Sequence, residues 1–245
     1  MASKIKTAAI IVIGNEILSG RTQDKNINYI AKKLFVNGIS LEFVCVIPDD
    51  KKIIIKNIRS LKQTYDFIFT TGGIGPTHDD ITSESISAAL NLEYKLHSGA
   101  LKELIKYYNK VNSELTDARK KMAYMPKGSK LIHNKVSGAP GFKIENIFVF
   151  AGIPSIVIAM MDEFLKMIKN KNKFYSSSII TKLFESKIAN VLKKAEEIFS
   201  NTKIGSYPIF DGKPRGVEIV ITSLKSRKEV QLAKNFINRE LNKII

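Results

Sequence analysis

Two segments of the chain run from an apolar or β-branched stretch directly into glycine, and this pattern restricts the fold more than any other. Residues 7–13 end at Gly14, and residues 67–71 end at Gly72. A strand without polar alternation is typical of a parallel sheet that helices cover on both faces. The sequence therefore predicts an α/β fold with a mostly parallel, doubly wound sheet.

Amphipathic helices are predicted between the strands, which include further strands at residues 40–47 and 146–150. Residues 83–90 read as a helix after the second glycine-rich turn. Residues 123–142 show no helical period and are predicted to form a long crossover loop, which in a compact domain is usually functional. Apolar residues recur at helical spacing at Ile27, Ile30, Ala31, Leu34 and Phe35, at Ile54, Ile58 and Leu61, at Leu101, Leu104, Ile105 and Tyr108, and at Ile158, Met161, Phe164, Leu165 and Ile168.

The pattern restarts after residue 170. Strands are predicted at 178–184, 203–208 and 216–222, and helices at 185–200 and 228–243. This arrangement indicates a small α+β module. The predicted domains are therefore residues 1–170 and residues 171–245.

Four loops follow predicted strands of the first domain, at residues 14–20, 49–50, 72–80 and 152–155. Ligands of open α/β sheets bind outside the carboxyl ends of the strands, so we expect these loops to form one site. Glycines at 72, 73 and 75 allow positive φ and a close approach of the backbone to a ligand. Together with the start of the next helix they suit a phosphate group.

Asp79 and Asp80 add negative charge beside this predicted phosphate site. Two carboxylates are unfavourable there unless a divalent cation lies between them and the phosphate. The structural alternative is a tight connection between strand and helix, in which Asp49 begins one helix and Asp80 caps another. The convergence of four loops on one edge of the sheet favours a ligand site.

Residues 71–82, with the sequence TGGIGPTHDDIT, resemble the signature loop of the molybdopterin-binding family. That family includes the molybdopterin adenylyltransferases, the amino-terminal domain of competence/damage-inducible protein A and the molybdopterin-binding-like domain of FAD synthases. The resemblance covers about the first 165 residues and implies a three-layer α/β domain. The other matching motifs, in order, are residues 13–20 (IGNEILSG), 48–50 (PDD), 125–128 (MPKG) and 138–142 (GAPGF).

The second module resembles the KH-like segment of competence/damage-inducible protein A. It lacks the Gly-x-x-Gly loop with which true KH domains hold a nucleotide backbone, so the resemblance does not imply RNA binding.

The resemblance implies roles for residues of the first domain. Asp49 and Asp80 match the essential acids of the adenylyltransferases and are expected to be catalytic. Asp79 and Asp80 are expected to hold a divalent metal such as Mg²⁺ or Co²⁺. The residues expected to contact the ligand, molybdopterin or an adenine nucleotide, are Gly14, Glu16, Ser19, Gly20, Thr71, Gly72, Gly73, Gly75, Pro76, Thr77, Gly138, Pro140, Gly141, Gly152, Pro154 and Ser155.

The formal net charge of +16 raises the question of nucleic-acid binding. Residues 1–165 have a balance of +6, whereas residues 166–245 have a balance of +10. Lysine far outnumbers arginine, which favours a solvated basic surface over a dedicated nucleic-acid patch. No apolar run reaches the ~18 residues that span a bilayer, and the single Cys45 excludes an intrachain disulfide. We expect a cytoplasmic protein that forms a homo-oligomer.

Two functions remain open from the sequence. The leading interpretation is a protein that binds a phosphorylated heterocycle, a pterin or an adenine dinucleotide. The resemblance leaves two activities open for it, metal-dependent hydrolysis of ADP-ribose or FAD and a reaction like that of the molybdopterin adenylyltransferases. The phosphate cradle serves both ligand classes and does not choose between them. The alternative is a non-enzymatic, nucleic-acid-associated module that uses the basic C-terminal third. A salt titration separates the two, because nucleic-acid affinity falls steeply with ionic strength.

Overall fold

A computed structural model describes residues 5–168, 173–224 and 226–244. Contacts between residues divide the chain into two compact units. The larger is formed by Ile5–Phe35 and Ile39–Asn170, and the C-terminal part of the chain dominates the smaller.

The larger unit alternates strands with helices along the chain. Its strands are β1 (Lys6–Ile13), β2 (Ile39–Ile47), β3 (Phe67–Thr71), β4 (Tyr94–Leu96), β5 (Tyr124–Pro126), β6 (Lys130–Ile132), β7 (Gly141–Ile144) and β8 (Ile147–Phe150). Its helices are α1 (Asn15–Leu18), α2 (Asn26–Val36), α3 (Lys51–Lys62), α4 (Thr82–Leu90), α5 (Ser98–Lys110), α6 (Asp117–Lys120) and α7 (Pro154–Met167), with a 3₁₀ turn at Lys121–Ala123.

The main sheet has the strand order β2-β1-β3-β8-β7-β6. Strands β2, β1, β3 and β8 are parallel to their neighbours in this series, whereas β7 and β6 are antiparallel. The last residues of the parallel strands are in register, with Ile13 beside Ile47 and Thr71 beside Phe150. The loops that follow these four strands therefore leave the sheet from the same edge.

Helices cover both faces of the sheet, because β1 sends alternate apolar side chains to opposite sides. Ile11 and Ile13 belong to a core cluster that also contains residues of α3, α4 and α5. Ile10 and Val12 belong to a second cluster, formed with α2 and α7. In that second cluster the Phe164 ring packs 4.7 Å from Phe148, measured between centroids. The predicted three-layer α/β fold with a mostly parallel sheet is confirmed.

Several local predictions are wrong. Residues 123–142 are not a plain loop, since β5, β6 and the start of β7 lie within them. These strands are too short to show a period.

Three residues with the spacing of core residues are exposed. Phe35, Ile105 and Ile158 are 36%, 42% and 44% exposed. Each lies at the margin of an apolar helix face whose centre is fully buried, at Leu34, Leu104 and Met161.

The smaller unit is an α+β module. It consists of β9 (Tyr175–Thr181), α8 (Glu185–Ile198), β10 (Lys203–Phe210), β11 (Pro214–Ser223) and α9 (Arg227–Leu241). The strands form an antiparallel sheet in the order β10-β11-β9, and both helices contribute to its core. Residues 182–184 were predicted as part of the first strand, but β9 ends at Thr181 and Phe184 is the N-cap residue of α8.

No helix in the described ranges combines the length and the apolar character needed to cross a bilayer.

Candidate functional site

A cavity of about 540 Å³ opens at the edge of the sheet where the parallel strands end. All of its lining residues that the structure describes belong to the larger unit. The loops after β1, β2, β3 and β8 all contribute to its wall, together with residues from α5, the 3₁₀ turn and the segment before β7. The volume lies in the range of small-molecule sites.

The glycine-rich loop after β3 forms one wall of the cavity. Gly72 and Gly73 have φ values of +98° and +67°. A Cβ atom on Gly72 would lie 2.1 Å from the Ile13 carbonyl oxygen, and one on Gly73 would lie 2.2 Å from Thr82 Oγ1. The glycines are therefore required by the packing of the loop against β1 and α4, and not only by the approach of a ligand as the sequence suggested.

The loop is held to the start of α4 by Thr82. Its hydroxyl donates to the Gly72 carbonyl at 3.0 Å, and its amide donates to the Gly73 carbonyl at 2.9 Å. Thr82 is fully buried. The conformation of the glycine loop is thus fixed without a ligand.

A tight turn at residues 77–80 places two carboxylates beside the glycine loop. The Thr77 amide donates to Asp80 Oδ2 at 2.8 Å. Thr77 Oγ1 lies 2.5 Å from Asp80 Oδ2 and 2.6 Å from Asp79 Oδ1. One hydroxyl carries one proton, so it donates to only one of these oxygens at a time. The Thr77 hydroxyl holds the pKa of Asp79 below its ordinary value.

Asp49 faces the same cavity from the end of β2. Its Oδ2 accepts a hydrogen bond from the Asn15 amide at 2.9 Å. Burial raises the pKa of the Asp49 carboxyl, and the charges of Glu16 and Asp79 raise it further, against the lowering effect of the Asn15 hydrogen bond. Two acidic loops are therefore close enough to influence each other.

The structural alternative for these aspartates is wrong. Asp50, not Asp49, is the N-cap of α3, and its Oδ1 accepts from the Ile53 amide at 2.9 Å. The N-cap of α4 is Ile81, which has no side-chain capping bond. Asp49 accepts instead from the amide of Asn15, the first residue of α1, and Asp80 accepts from the Thr77 amide within its own turn.

The cavity wall carries mostly negative charge. Its carboxylates are those of Glu16, Asp24, Asp49, Asp79 and Asp80. Within the described part of the chain, Lys25 supplies the one cationic side chain of the lining. Lys25 comes from the segment that leads into α2 and not from the glycine loop.

The structure brings about half of the predicted site residues to the cavity. Those that line it are Glu16, Asp49, Gly72, Gly73, Gly75, Pro76, Asp79, Asp80, Gly152 and Pro154. Those outside its lining are Gly14, Ser19, Gly20, Thr71, Thr77, Gly138, Pro140, Gly141 and Ser155.

Local packing explains several of these displaced positions. Thr71 is 1% exposed within β3, and Pro140 and Gly141 are buried beneath the cavity wall. A Cβ atom on Gly138 would lie 2.3 Å from that of Tyr107, so this glycine serves the packing on α5. Its neighbours Ser137 and Ala139 line the cavity in its place.

The segment that leads into α2 was not predicted to line the site. Residues 22–26 all line the cavity. The Asn26 side chain is 5% exposed and donates from Nδ2 to the Gly152 carbonyl at 2.8 Å, which ties this segment to the loop after β8. The signal was available, because this segment leads out of the first strand at the predicted ligand edge. Tyr108 and Met122, which also line the cavity, carry no comparable signal.

No cluster of three or more His, Cys, Asp or Glu side chains that could hold a metal ion occurs among the residues that the structure describes.

Comparison with known proteins agrees with this fold. Residues 9–170 match the family model described as a probable molybdopterin binding domain, and residues 173–245 match that of the FAD synthase middle domain. A protein from Archaeoglobus fulgidus is 33% identical over 227 residues, which cover 93% of this chain and 95% of the relative. One from Pyrococcus furiosus is 37% identical over 225 residues, covering 86% and 89%.

A solved structure is also similar to the chain. The protein CinA from Thermoplasma acidophilum, described as being of unknown function, superposes with a TM-score of 0.61 at 29% identity. The match covers 67% of this chain and 99% of that one. The chain belongs to the molybdopterin-binding domain family and carries, after that domain, a domain of the FAD synthase middle type.

Proposed function

We propose that the cavity binds a phosphorylated heterocycle, a pterin such as molybdopterin or an adenine dinucleotide, together with a divalent cation, Mg²⁺ or Co²⁺, at Asp79 and Asp80. We further propose that the chain hydrolyses the phosphoanhydride of such a ligand, with ADP-ribose and FAD as candidate substrates. The observation that carries the proposal is the pair of carboxylates gathered around Thr77 beside a preformed glycine loop.

The excess of negative charge on the cavity wall supports the proposal that a cation binds there. Five carboxylates face one ammonium group, so the cavity as it stands repels a bare diphosphate. The Thr77 hydroxyl satisfies one of its two neighbouring carboxylates at a time, and a cation at this turn would compensate the other. When bound, the metal would supply the charge that neutralises phosphate oxygens.

The rest of the wall supports a phosphate site. Residues 72–76 line the cavity, and so does the start of α7, where Pro154 occupies the first turn and no side chain caps the helix. An uncapped helix N-terminus favours an anion. Lys25 adds a positive charge to the lining.

Asp49 is our candidate for the proton acceptor. In hydrolysis, a water oxygen adds to one phosphorus, the bridging P–O bond breaks, AMP leaves, and the proton of the water passes to a base. The raised pKa of Asp49 makes it a better base than an ordinary aspartate. Asp80, fixed by the Thr77 amide, is the candidate for holding the cation.

The experiment is an assay of AMP release. Purified chain is incubated with ADP-ribose or FAD and Mg²⁺, Mn²⁺ or Co²⁺, and AMP is measured by chromatography. Asp80→Asn keeps an acceptor for the Thr77 amide but removes the charge, so turnover should fall by roughly 100-fold or more. Asp50→Asn is the matched control, because Asp50 lies outside the lining. No AMP with any metal, or full activity in Asp80→Asn, contradicts the hydrolase assignment and leaves ligand binding alone to be tested.

The domain boundary near residue 170, a cytoplasmic location and a homo-oligomeric state also belong to this proposal. Light scattering of the purified chain measures the oligomeric state directly.

A further inference from the structure

The turn at residues 77–80 makes most of its hydrogen bonds within itself. The Thr77 amide donates to Asp80 Oδ2 at 2.8 Å, and the Asp80 amide donates to the Thr77 carbonyl at 3.3 Å. The Thr77 hydroxyl lies within 2.6 Å of one oxygen of Asp79 and one of Asp80. None of these bonds joins the turn to another element. The two carboxylates also repel each other, so these bonds alone leave the turn weakly held.

One side chain from a distant part of the chain reaches this turn. Lys121 Nζ donates to the Thr77 carbonyl at 2.5 Å. Among the residues that the structure describes, Lys121 is the one hydrogen-bond partner of the turn from outside residues 77–80. The Thr77 hydroxyl is the main cause of the lowered pKa of Asp79, and the charge of Lys121 adds a smaller effect in the same direction. The ammonium group therefore joins the turn to the 3₁₀ turn at Lys121–Ala123.

The backbone that carries Lys121 is itself fixed. Ala123, two residues further on, is fully buried, and its carbonyl accepts from the His97 amide at 2.9 Å. On the other side of Lys121, the Arg119 guanidinium lies 4.4 Å from the centroid of the Tyr108 ring. Lys121 itself is half-buried. Its side chain extends from an ordered support, so holding the Thr77 carbonyl costs less conformational entropy than it would on a loose loop.

Lys121 lies outside the cavity lining, to which Asp79 and Asp80 belong. It binds the turn through a backbone carbonyl, so the carboxylate oxygens stay available to the cavity. We propose that Lys121 is a positioning residue for the cation site, which holds the turn in place without touching the cation or the ligand. The inference rests on the proposed function and adds to it a residue that does not line the cavity.

The first test is amide hydrogen exchange of the full chain, followed by NMR without metal or ligand. Lys121→Met removes the ammonium group and keeps an unbranched side chain. We expect the Thr77 and Asp80 amides to exchange roughly tenfold faster than in the wild type, because the turn opens more often. Lys120→Met is the matched control, since the Lys120 ammonium pairs with Asp117 at 2.8 Å within α6. Exchange in the control should stay at the wild-type level.

The second test is calorimetric titration with ADP, in the presence of Mg²⁺ and in the presence of EDTA. The wild type should bind roughly tenfold or more tightly with Mg²⁺. In Lys121→Met this gain should shrink to about threefold or less, because the carboxylates are no longer held in place. Affinity in EDTA should change by about twofold or less, since Lys121 is outside the lining.

Two further variants complete the titration. Lys121→Arg keeps a charged donor, so it should restore most of the Mg²⁺ gain. Lys120→Met should keep the full gain. A gain that Lys120→Met loses to the same extent as Lys121→Met overturns the inference, because the contact with Thr77 is then not its cause.

The outcomes separate this inference from the proposed function. An unchanged Mg²⁺ gain in Lys121→Met, or unchanged exchange of the Thr77 and Asp80 amides, overturns the inference and leaves the proposed function standing. Equal weakening with Mg²⁺ and with EDTA overturns it as well, because that pattern indicates a charge that attracts the ligand. If the wild type shows no Mg²⁺ gain, the cation site of the proposed function fails, and the inference fails with it.

Discussion

Gly72, in the glycine loop after β3, packs against the end of β1 and leaves no room for a side chain. Its φ of +98° is unfavourable for any other residue, and a Cβ atom would meet the Ile13 carbonyl at 2.1 Å. We expect Gly72→Ala to lower the free energy of unfolding by about 3–5 kcal/mol, since backbone strain and overpacking add. Chemical denaturation measures the change.

Gly20→Ala is the control for that prediction. Gly20 also has a positive φ, of +72°, but a Cβ atom added there would have nothing within 4 Å. Its substitution should cost only about 1–2 kcal/mol of backbone strain. Equal losses at the two positions would show that the contact with Ile13 carries no weight.

The protonation state of Asp49 is linked to the stability of the fold. Its pKa is raised in the folded chain, so the folded state binds its proton more tightly than the unfolded state. The stability linked to this proton is present below the ordinary pKa and is lost as the pH rises through the raised value. At neutral pH the ionised carboxylate therefore destabilises the fold.

Asp49→Asn should raise the melting temperature at pH 7. Asparagine removes the charge but keeps an acceptor for the Asn15 amide. The side chain is largely solvated, so we expect a small gain of ~1–2 °C. Melting curves between pH 7 and about pH 4 should show the gain shrinking as wild-type Asp49 takes up its proton. A gain that is constant over this range would contradict the account.

The sequence indicated which motifs form the site, but not which residues of each motif line the cavity. The aspartates and the glycines of the β3 loop were predictable, because they follow a strand at the ligand edge of the sheet. Gly138 and Thr71 were not placed correctly, because a motif does not show which of its residues face the cavity and which face Tyr107 or the strand interior. Which residues of a short segment face the cavity depends on their contacts with residues that are distant in the sequence.

At the level of elements, the segment before β7 depends on Asn134. Asn134 Oδ1 accepts from the amides of Val136 and Ser137 at 2.8 and 2.9 Å, and Nδ2 donates to Ser137 Oγ and the Ala139 carbonyl. This buried side chain therefore shapes the turn that brings Ser137 and Ala139 to the cavity.

Asn134→Ala should loosen that turn. Several buried groups lose their partner, which we expect to cost about 2–3 kcal/mol of stability and to weaken ligand affinity as well. Ser129→Ala is the control, because the Ser129 hydroxyl donates to the Pro126 carbonyl at 2.7 Å in the same part of the chain but away from the cavity. It should lower stability without changing affinity. Calorimetric titration and denaturation measure both quantities, and unchanged affinity in Asn134→Ala would show that the turn plays no part in binding.

The long elements were predictable and the short ones were not. Helix α3 follows from Ile54, Ile58 and Leu61, which the structure buries on one face. The strands β5 and β6 have three residues each, which is too few to show an alternating pattern. Pro126 and Gly128 in the same stretch are typical of a loop. Their pairing with β4 and β7 supplies the stability that local sequence cannot indicate.

At the level of the whole molecule, every residue of the cavity lining lies between Ile13 and Ile156. None of the described residues of the C-terminal module is among them. A fragment ending at Lys171 should therefore bind the ligand with the affinity of the full chain. Calorimetry on a folded, monodisperse fragment checks this. Lost affinity in such a fragment would assign part of the site to the module.

The central claim is that a divalent cation joins ligand phosphates to the carboxylates at Asp79 and Asp80. The most direct measurement is calorimetric titration of wild type and Asp80→Asn with ADP, in the presence of Mg²⁺ and in the presence of EDTA. The account predicts that Mg²⁺ strengthens binding to the wild type by about tenfold or more and has little effect on Asp80→Asn. Affinity that is independent of Mg²⁺, or a Mg²⁺ effect of the same size in the variant, would contradict it.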